Sequence, residues 1–443
     1  MEKRGKFSWS FDKKCVILIF MKEKMKKSAK LAIICSAAGI CVVLAVVGII
    51  FGVKKARAKQ NIENNKVVVG FYNIPQSQQQ VFTNIIAEIC ASKEIETDFF
   101  VIDNESDFSE QVKLNKINFV MAPAGFAVEN AVAQAKDNAQ VPSDVTGGMF
   151  SSMMQAVITK DGKLKAVPLI FDNLEIDIEI SAFKMSGMER IATWEDIEQF
   201  AQLQKKELDF PVSFAGAEPI FLLDLLGAMG EALDGYEGYT KAAEILKEAA
   251  SAKKEGASFD ATTVAKKIFI DPDAPIPYSL YYLKQLVKKG FITPASKELI
   301  HTDINSYIQQ RVTKAFFTTL SVHRTFDTTA VSRFSTIYVP SKNGAEQRHF
   351  TATATYAIPL SENNNTETVI TELLSTEIQT KLSQMSGLAP VLANCRTPDQ
   401  QADDARYWVA ATNAPVAGLG HEAELTVEDL KRLKDEIQML IFY

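Results

Sequence analysis

The chain has 443 residues, of which 48 are Lys or Arg and 54 are Asp or Glu, and its formal net charge is −6 at pH 7. The first 59 residues alone carry a net charge of +11, so the remaining residues carry −17. The acidic remainder of the chain repels phosphate backbones, which argues against nucleic acid as a partner. A chain of this length normally divides into two domains.

The first predicted element is an uncharged apolar run at residues 31–53, LAIICSAAGICVVLAVVGIIFGV. As a helix rising about 1.5 Å per residue it reaches roughly 34 Å, enough to cross the ~30 Å hydrocarbon core of a membrane. Basic residues are more numerous before the run than after it, and the more basic flank stays in the cytoplasm. We therefore expect a cytoplasmic tail at 1–30, near anionic lipid headgroups, and a single-pass helix in the cell membrane that leaves the C-terminal part extracytoplasmic. A cleaved signal peptide or a lipoprotein signal is the alternative.

A polar linker is predicted at 54–65, followed by a buried strand at 66–72. Apolar residues then recur at three- and four-residue spacing, which predicts a helix that buries Val81, Phe82, Ile85, Ile86 and Ile89. Further strands are predicted at 98–103 and 117–121. This alternation of strands and helices predicts an α/β domain with a mainly parallel sheet.

From about residue 190 the pattern becomes mainly helical. Thr193 with Asp196, and Thr426 with Asp429, form capping boxes that predict two helix starts. The other predicted elements are helices at 220–233 and 280–289, the second ending before Gly290, and strands at 315–319 and 353–358.

Enzymatic and metal motifs are absent from the sequence. It has no HExxH, GxSxG or phosphate-loop pattern, and the four histidines (His301, His323, His349 and His421) are isolated along the chain. We therefore predict no catalytic residue, no metal ligand and no cofactor. Cys90 and Cys395 either form one disulfide or stay as two buried thiols, and the sequence leaves both alternatives open.

Several blocks, in order, resemble a known family. The first three are AVPLIFD at 166–172, AFKMSGM at 182–188 and TWED at 193–196. The later ones are FITP at 291–294, AFFT at 315–318, AIP at 357–359, LLSTEIQ at 373–379 and SGLAPV at 386–391. Together they resemble the family 1 extracellular solute-binding proteins of ABC importers.

The resemblance implies a two-lobed, periplasmic-binding-protein-like α/β fold with a hinge and crossing strands near 172 and 350. Lobe one would hold 66–172 with about 351–390, and lobe two would hold 173–350 with about 391–443. The lobes would close on a small-molecule solute, and ABC permease subunits would recognise the closed form.

Three blocks depart from the sugar-binding members of that family. Those members often carry Gly-Ser-Trp, Gly-Gly-Trp-Gly and Tyr-Asn where this chain has TLSVH at 319–323, ATATY at 352–356 and IDIE at 176–179. The aromatic residues that stack on sugar rings are therefore largely missing. The solute is carbohydrate-like or of another class, and the alternative function is a sensory or protein-interaction module that no longer serves transport.

The predicted ligand-binding residues are those expected at strand ends, on the crossing strand and in the loops that the resemblance marks as binding loops. They are Asn73, Gln76, Pro123, Gly125, Asp172, Asn173, Glu218, Ser321, His323 and Tyr356. Each also has a structural alternative, such as a solvated turn, a hinge cap or a charge at a helix N-terminus.

Overall fold

The computed structural model describes residues 65–102, 107–342 and 348–443. The predicted cytoplasmic tail, transmembrane helix and, apart from residue 65, linker lie outside these residues. Within the described ranges, no helix combines the length and the apolar character needed to cross a membrane. The membrane anchor therefore stays a prediction from the sequence.

The strands include every strand that the sequence predicts and several short ones that it does not. They are β1 Lys66–Tyr72, β2 Glu96–Ile102, β3 Phe119–Pro123, β4 Ile158–Lys160, β5 Lys163–Glu179, β6 Val212–Ser213, β7 Ala315–Thr319, β8 Phe334–Tyr338, β9 Ala352–Pro359 and β10 Ala389–Pro390.

Helices cover both faces of the sheet and form most of the region between β6 and β7. They are α1 Gln76–Ser92, α2 Phe108–Leu114, α3 Phe126–Gln134, α4 Ser151–Gln155, α5 Ile180–Ser186, α6 Trp194–Gln204, α7 Pro219–Asp234, α8 Tyr236–Lys254, α9 Ala261–Phe269, α10 Pro277–Lys288, α11 His301–Gln310, α12 Leu320–His323, α13 Thr328–Val331, α14 Asn364–Leu373, α15 Thr376–Ser386, α16 Gln400–Ala410 and α17 Val427–Phe442. Short 3-10 helices lie at Ser143–Gly148, Pro294–Glu298 and Leu419–His421.

Local sequence explains where these helices begin and which side chains they bury. In α1 four of the five residues predicted at helical spacing are buried, namely Phe82, Ile85, Ile86 and Ile89, whereas Val81 is half-buried. At the start of α6 the Thr193 hydroxyl accepts the Asp196 amide, and the Asp196 carboxylate accepts the Thr193 amide, which confirms the predicted capping box. The same exchange between Thr426 and Asp429 opens α17.

The strands join in the order β2-β1-β3-β9-β5-β7-β6, with β4, β8 and β10 also paired to β5. The β1–β2, β1–β3 and β6–β7 pairs are parallel, whereas every pairing of β5 and of β9 is antiparallel. The prediction of a mainly parallel sheet was therefore wrong. It failed for the sheet as a whole because parallel pairing, as expected for strand–helix–strand units, holds among β1, β2 and β3, whereas β5 runs between two packed regions and pairs antiparallel, as does β9.

Strand β5 is 17 residues long and belongs to both halves of the sheet. Its first part pairs with β9 from Val167 to Asn173, and its second part pairs with β7 and β8 from Leu174 to Glu179. The chain therefore crosses from one half of the sheet to the other within this one continuous strand, close to the predicted crossing point at 172.

Two hydrophobic cores divide the described residues into two lobes. Lobe one is built around a core drawn from residues 67–171 and 350–409, together with Leu320. Lobe two is built around a core drawn from 174–339 and 416–441. Residues 391–409, which the sequence assigns to lobe two, pack in lobe one, so the chain passes between the lobes a third time, between residues 409 and 416.

Both cysteines in the described part of the chain, Cys90 and Cys395, are free and buried. The Cys395 sulfur lies 3.2 Å from the Thr380 hydroxyl. Burial raises the pKa of both thiols, which keeps them protonated and unreactive. Of the two alternatives left by the sequence, the structure therefore has separate thiols.

Candidate functional site

Strand ends from both lobes enclose a cavity of about 110 Å³, which we call the cleft. Its walls are the ends of β1, β3 and β7, the middle of β5, the start of β9, one turn of α7 and the last 3-10 helix. The lining residues are Asn73, Ile74, Pro75, Gln78, Pro123, Asp172, Asn173, Leu174, Asp224, Thr319, Ser321, Thr351, Thr353, Thr355 and His421.

The turn after β1 forms the lobe-one wall of the cleft. Asn73 adopts a left-handed backbone conformation with φ of 57°, which reverses the chain directly after the strand. The Gln79 side-chain amide donates to the Ile74 carbonyl at 2.7 Å and holds this turn against the first turn of α1. The turn is therefore fixed by hydrogen bonds and places Asn73, Ile74 and Pro75 on the cleft.

Asp172 occupies the floor of the cleft on β5. Its carboxylate accepts the backbone amide of Ser321 at 2.9 Å, the Ser321 hydroxyl, and the backbone amide of Asn173 at 3.0 Å. Burial raises the pKa of Asp172, and these hydrogen bonds act in the opposite direction by stabilising the carboxylate. Because Asp172 lies where β5 crosses and Ser321 lies at the end of β7, the contact fixes the crossing point.

A second carboxylate, Asp224, enters the cleft from the apolar helix α7. One of its oxygens accepts the Gly420 amide at 2.8 Å, and the other lies 3.4 Å from His421 Nε2. Burial disfavours the charged imidazole, but the carboxylates of Asp224, Glu422 and Asp172 outweigh it and raise the pKa of His421. The cleft therefore pairs its acidic groups with a protonatable base.

Two polar atoms of the cleft are buried without a hydrogen-bond partner among the described residues. They are Asn173 Oδ1 and Thr351 Oγ1, whose residues are 1% and 6% exposed. Their neighbour Thr353 differs, because its hydroxyl donates to the Ala417 carbonyl. An unpaired buried polar atom costs free energy, so these two atoms mark positions that a polar ligand or water would stabilise.

The lining of the cleft, as far as the structure describes it, combines acidic and neutral polar groups. It contains two aspartates, one histidine, and the amide and hydroxyl side chains named above, but no Lys, Arg, Phe, Tyr or Trp. Such a surface offers hydrogen-bond acceptors and donors, with the His421 imidazole as its one basic group and no Phe, Tyr or Trp ring.

Five of the ten predicted ligand-binding residues line the cleft, namely Asn73, Pro123, Asp172, Asn173 and Ser321. Their position at strand ends and at the crossing strand is what the sequence used to select them. That these five residues contact a ligand stays a prediction.

The other five lie elsewhere. Gln76 is the first residue of α1 and is exposed. Gly125 has a φ of 93° and lies close to the His421 backbone, so that an added Cβ would stand 2.3 Å from the His421 carbonyl oxygen. Glu218 accepts the His301 backbone amide at 2.8 Å, and its carboxylate lies 2.7 Å from His301 Nδ1. Both contacts are within lobe two, so this carboxylate already has a partner there. The Tyr356 hydroxyl donates to the Ala156 carbonyl at 2.9 Å inside lobe one.

His323 is buried beneath lobe two beside Glu175 and Asp177 rather than in the cleft. No metal-ligand spacing in the sequence marks this histidine, since it is 146 positions from Asp177. A signal did exist on β5, where Glu175 and Asp177 alternate with the apolar residues Leu174, Ile176 and Ile178 and therefore share one face of the strand.

Asp224 and His421 were also missed. Asp224 is one of two carboxylates in the apolar run 220–233, the other being Glu231, and a carboxylate in such a run was the one available signal. His421 reaches the cleft only because the last 3-10 helix folds back between α7 and β9, which no local pattern indicates.

Comparison with solved structures identifies proteins that share this architecture. The bacterial solute receptor AcbH, described with a substrate preference for β-D-galactopyranose, aligns with a TM-score of 0.62 at 13% identity over 85% of this chain and 98% of its own. The fold is that of the solute-binding proteins. The raffinose complex of RafE, a protein of Streptococcus pneumoniae, aligns at 0.58 with 13% identity over 85% and 99%, and a chitin oligosaccharide binding protein at 0.57 with 13% identity over 84% and 97%.

No protein-family model matches the chain, and no curated protein sequence matches it. The similarity at 13% identity therefore concerns the fold. The three structural neighbours are described as a receptor and two binding proteins.

Proposed function

We propose that the chain is a membrane-tethered, extracytoplasmic solute-binding protein that captures a small polar solute between its lobes for an ABC-type importer. The observation that carries the proposal is the pair of unpaired buried atoms, Asn173 Oδ1 and Thr351 Oγ1, in a cavity that both lobes enclose. A solute with hydroxyl or amine groups would satisfy both atoms and the Asp172 carboxylate together, which would favour the closed arrangement of the lobes.

The chemistry of the cleft supports a neutral polyhydroxylated solute or a small cation. Asp172 and Asp224 accept hydrogen bonds from hydroxyl or ammonium groups, and the absence of Lys and Arg from the described lining disfavours a carboxylate or phosphate solute. The known ligands of the structural neighbours, galactopyranose and raffinose, support the polyhydroxylated class. A cavity of about 110 Å³ is small beside the roughly 300–1,000 Å³ of drug-sized sites, which favours a small solute.

A thermal-unfolding screen of the full-length chain in detergent tests the proposal against monosaccharides, oligosaccharides, polyols, amino acids, polyamines and phosphate esters. A solute at 100 times its Kd adds about 2.7 kcal/mol to the stability of the folded state, which raises the Tm by a few degrees. We expect a hit among polyhydroxylated or cationic solutes, and no shift with phosphate esters.

A matched pair of variants locates the binding. Thr351→Val removes the unpaired hydroxyl at nearly constant shape and should weaken the hit about tenfold while leaving the solute-free protein as stable as before. Thr368→Val is the control, because that hydroxyl lies on the exposed face of α14 and bonds only the carbonyl one turn earlier. Equal affinity in both variants would place the solute outside the cleft.

One observation favours the alternative of a sensory or protein-interaction module. The described lining of the cleft has no Phe, Tyr or Trp, whereas rings of that kind stack on sugar faces in many binding sites. A flat response of the folded protein across the whole solute panel would favour this alternative over transport.

A further inference from the structure

Three ionisable side chains meet in a buried cluster below the cleft. Glu175 and Asp177 alternate on β5, so both point to the same face of that strand, and His323 ends α12 directly opposite. His323 Nδ1 lies 3.2 Å from an Asp177 oxygen and 3.3 Å from a Glu175 oxygen. The two carboxyl-bearing residues are completely buried and His323 is 5% exposed.

The protein alone leaves the carboxylates of this cluster short of hydrogen-bond donors. Neither oxygen of Glu175 has an aligned hydrogen-bond partner among the described residues. Two carboxylates that face one ring nitrogen need a cation between them, because one N–H cannot donate well to both.

We propose that Glu175, Asp177 and His323 bind a first-row divalent metal ion, with zinc as the best fit. Two ligands at roughly 2.0–2.1 Å from a tetrahedral zinc ion lie roughly 3.3 Å apart, which agrees with the contacts from His323 Nδ1 to the two carboxylates. All three candidate ligand atoms lie within 4.8 Å of one another. One imidazole with two carboxylates suits zinc or manganese, whereas calcium prefers a site made of oxygens only.

The surroundings supply an outer shell and an access route. The Thr336 hydroxyl donates to the second oxygen of Asp177 at 2.9 Å, which orients that carboxylate. A cavity of about 470 Å³ opens beside the cluster, and His323, Thr336 and Gln401 form part of its lining. Water from this cavity would fill the fourth ligand position.

Gln401 is the one group that must rearrange. Its oxygen accepts Arg324 Nη1 at 2.6 Å, so its NH₂ group faces the His323 ring, 2.8 Å from Nε2 and 3.2 Å from Nδ1, and also donates to the Thr336 hydroxyl at 2.9 Å. In that orientation Nε2 accepts and the ring proton lies on Nδ1, the nitrogen that the metal requires. Metal binding would therefore turn the Gln401 amide so that its oxygen accepts Nε2–H, and would release the Nδ1 proton.

The cluster lies one to three residues from the lining of the cleft along two separate elements. On β5 it follows Asp172 and Asn173, and on α12 His323 follows Ser321. A bound ion would join β5 to α12 at this point and hold the crossing region of the two lobes in one geometry.

Metal titration of the untagged full-length chain in detergent, stripped with EDTA, tests the site. Zinc and manganese should each raise the Tm, magnesium and calcium at equal concentration should not, and elemental analysis should find one zinc per chain. Glu175→Gln should weaken zinc binding by about 10- to 100-fold, because it removes one charged ligand. Gln401→Glu should strengthen zinc binding about tenfold, since one oxygen can accept Arg324 while the other accepts His323 Nε2–H.

The control is Glu218→Gln, which alters another His–carboxylate pair, half-buried and without a third ligand, and it should leave zinc binding unchanged. Absence of zinc from the wild-type chain at millimolar concentration, or equal zinc affinity in Glu175→Gln and wild type, would overturn the proposal. If Glu175→Gln does not fold, Gln401→Glu decides, because unchanged or weaker zinc binding in that variant contradicts the assigned geometry.

Discussion

The Asp172 carboxylate accepts both the backbone amide and the side-chain hydroxyl of Ser321, which lies 149 positions further along the chain. Asp172 belongs to the part of β5 that pairs with lobe one, and Ser321 follows β7 of lobe two. This two-point contact joins the lobes at the floor of the cleft. Its hydrogen bonds also act against the burial that raises the pKa of Asp172, and they orient the carboxylate at the cavity.

Ser321→Ala should therefore lower both stability and solute affinity. Loss of a hydrogen bond from a hydroxyl to a carboxylate costs about 1.5–3 kcal/mol, although the retained Ser321 backbone amide contact limits the loss. Urea unfolding measures the stability, and the thermal shift with the identified solute measures binding. Ser332→Ala is the control, since the Ser332 hydroxyl bonds only a carbonyl three residues earlier at an exposed position. Equal effects of the two substitutions would contradict a role for the Asp172 contact.

The sequence predicted the elements better than their arrangement. β1 has the predicted bounds because an uninterrupted apolar run between polar residues defines it, and both capping boxes are present because their geometry is local. The antiparallel pairing of β5 with β9 joins segments far apart in sequence, such as Val167 with Ala357. Strand direction across such a distance depends on how the lobes connect, which no local pattern encodes.

The residues of the candidate site likewise divide into those that the sequence could select and those that it could not. Asn73 and Pro123 line the cleft because the ends of neighbouring strands meet there, and Asp172 lines it from the crossing strand; strand ends and the crossing strand are visible in the sequence. Asp224 and His421 reach the cleft from a helix and a 3-10 turn that fold against it from lobe two. Their contribution depends on tertiary packing, so the sequence could not select them.

A buried ion pair near the second crossing supports a stability prediction. Arg348 Nη2 and Nε donate to one oxygen of Glu231 at 2.6 and 3.2 Å, and the other Glu231 oxygen accepts the His349 amide at 2.9 Å. Both charged residues are under 9% exposed. Arg348→Met strands the Glu231 carboxylate in the interior and should cost about 3–5 kcal/mol.

Two further variants separate pairing from packing. Adding Glu231→Gln to Arg348→Met should recover part of the loss, because the uncompensated charge disappears. Arg432→Met, in the exposed pair with Glu428, should change the free energy of unfolding by less than about 1 kcal/mol. Guanidinium unfolding of the three proteins measures these differences, and a loss of the same size at both arginines would refute the role of burial.

Asp234 makes the stability depend on pH. Burial raises its pKa to about 7, while the Tyr278 backbone amide and the Lys342 ammonium act in the opposite direction. The folded pKa lies above the unfolded value of about 3.9, so the folded state binds the extra proton and stability falls as the pH rises from about 4 to 7. Asp234→Asn removes this loss.

We therefore expect the stability gain of Asp234→Asn over wild type to widen by about 1–2 kcal/mol between pH 5 and pH 8, and to level off above pH 8. Urea unfolding at four pH values measures it. Asp273→Asn, at an exposed position, should show no such trend. A gain for Asp234→Asn that stays constant with pH would show that ionisation of Asp234 is not its cause.

Gly418 lies directly against Asp224, the second carboxylate of the cleft, where a side chain would collide with it. Its φ is 97°, which L-residues rarely adopt, and an added Cβ would stand 2.4 Å from Asp224 Oδ1. Gly418→Ala should therefore strain the backbone and also push Asp224 away from His421. Gly187 is the matched position, since its φ is 70° and nothing lies within 4 Å of its added Cβ.

Gly187→Ala should cost about 1–2 kcal/mol, the usual penalty for a left-handed residue, and leave solute binding unchanged. Gly418→Ala should cost more than this and also weaken solute binding, because the displaced carboxylate no longer faces the cavity. Urea unfolding and the thermal shift with solute measure the two effects side by side. If the two alanine variants lose the same stability and bind solute equally well, the close approach of Gly418 to Asp224 is not what positions that carboxylate.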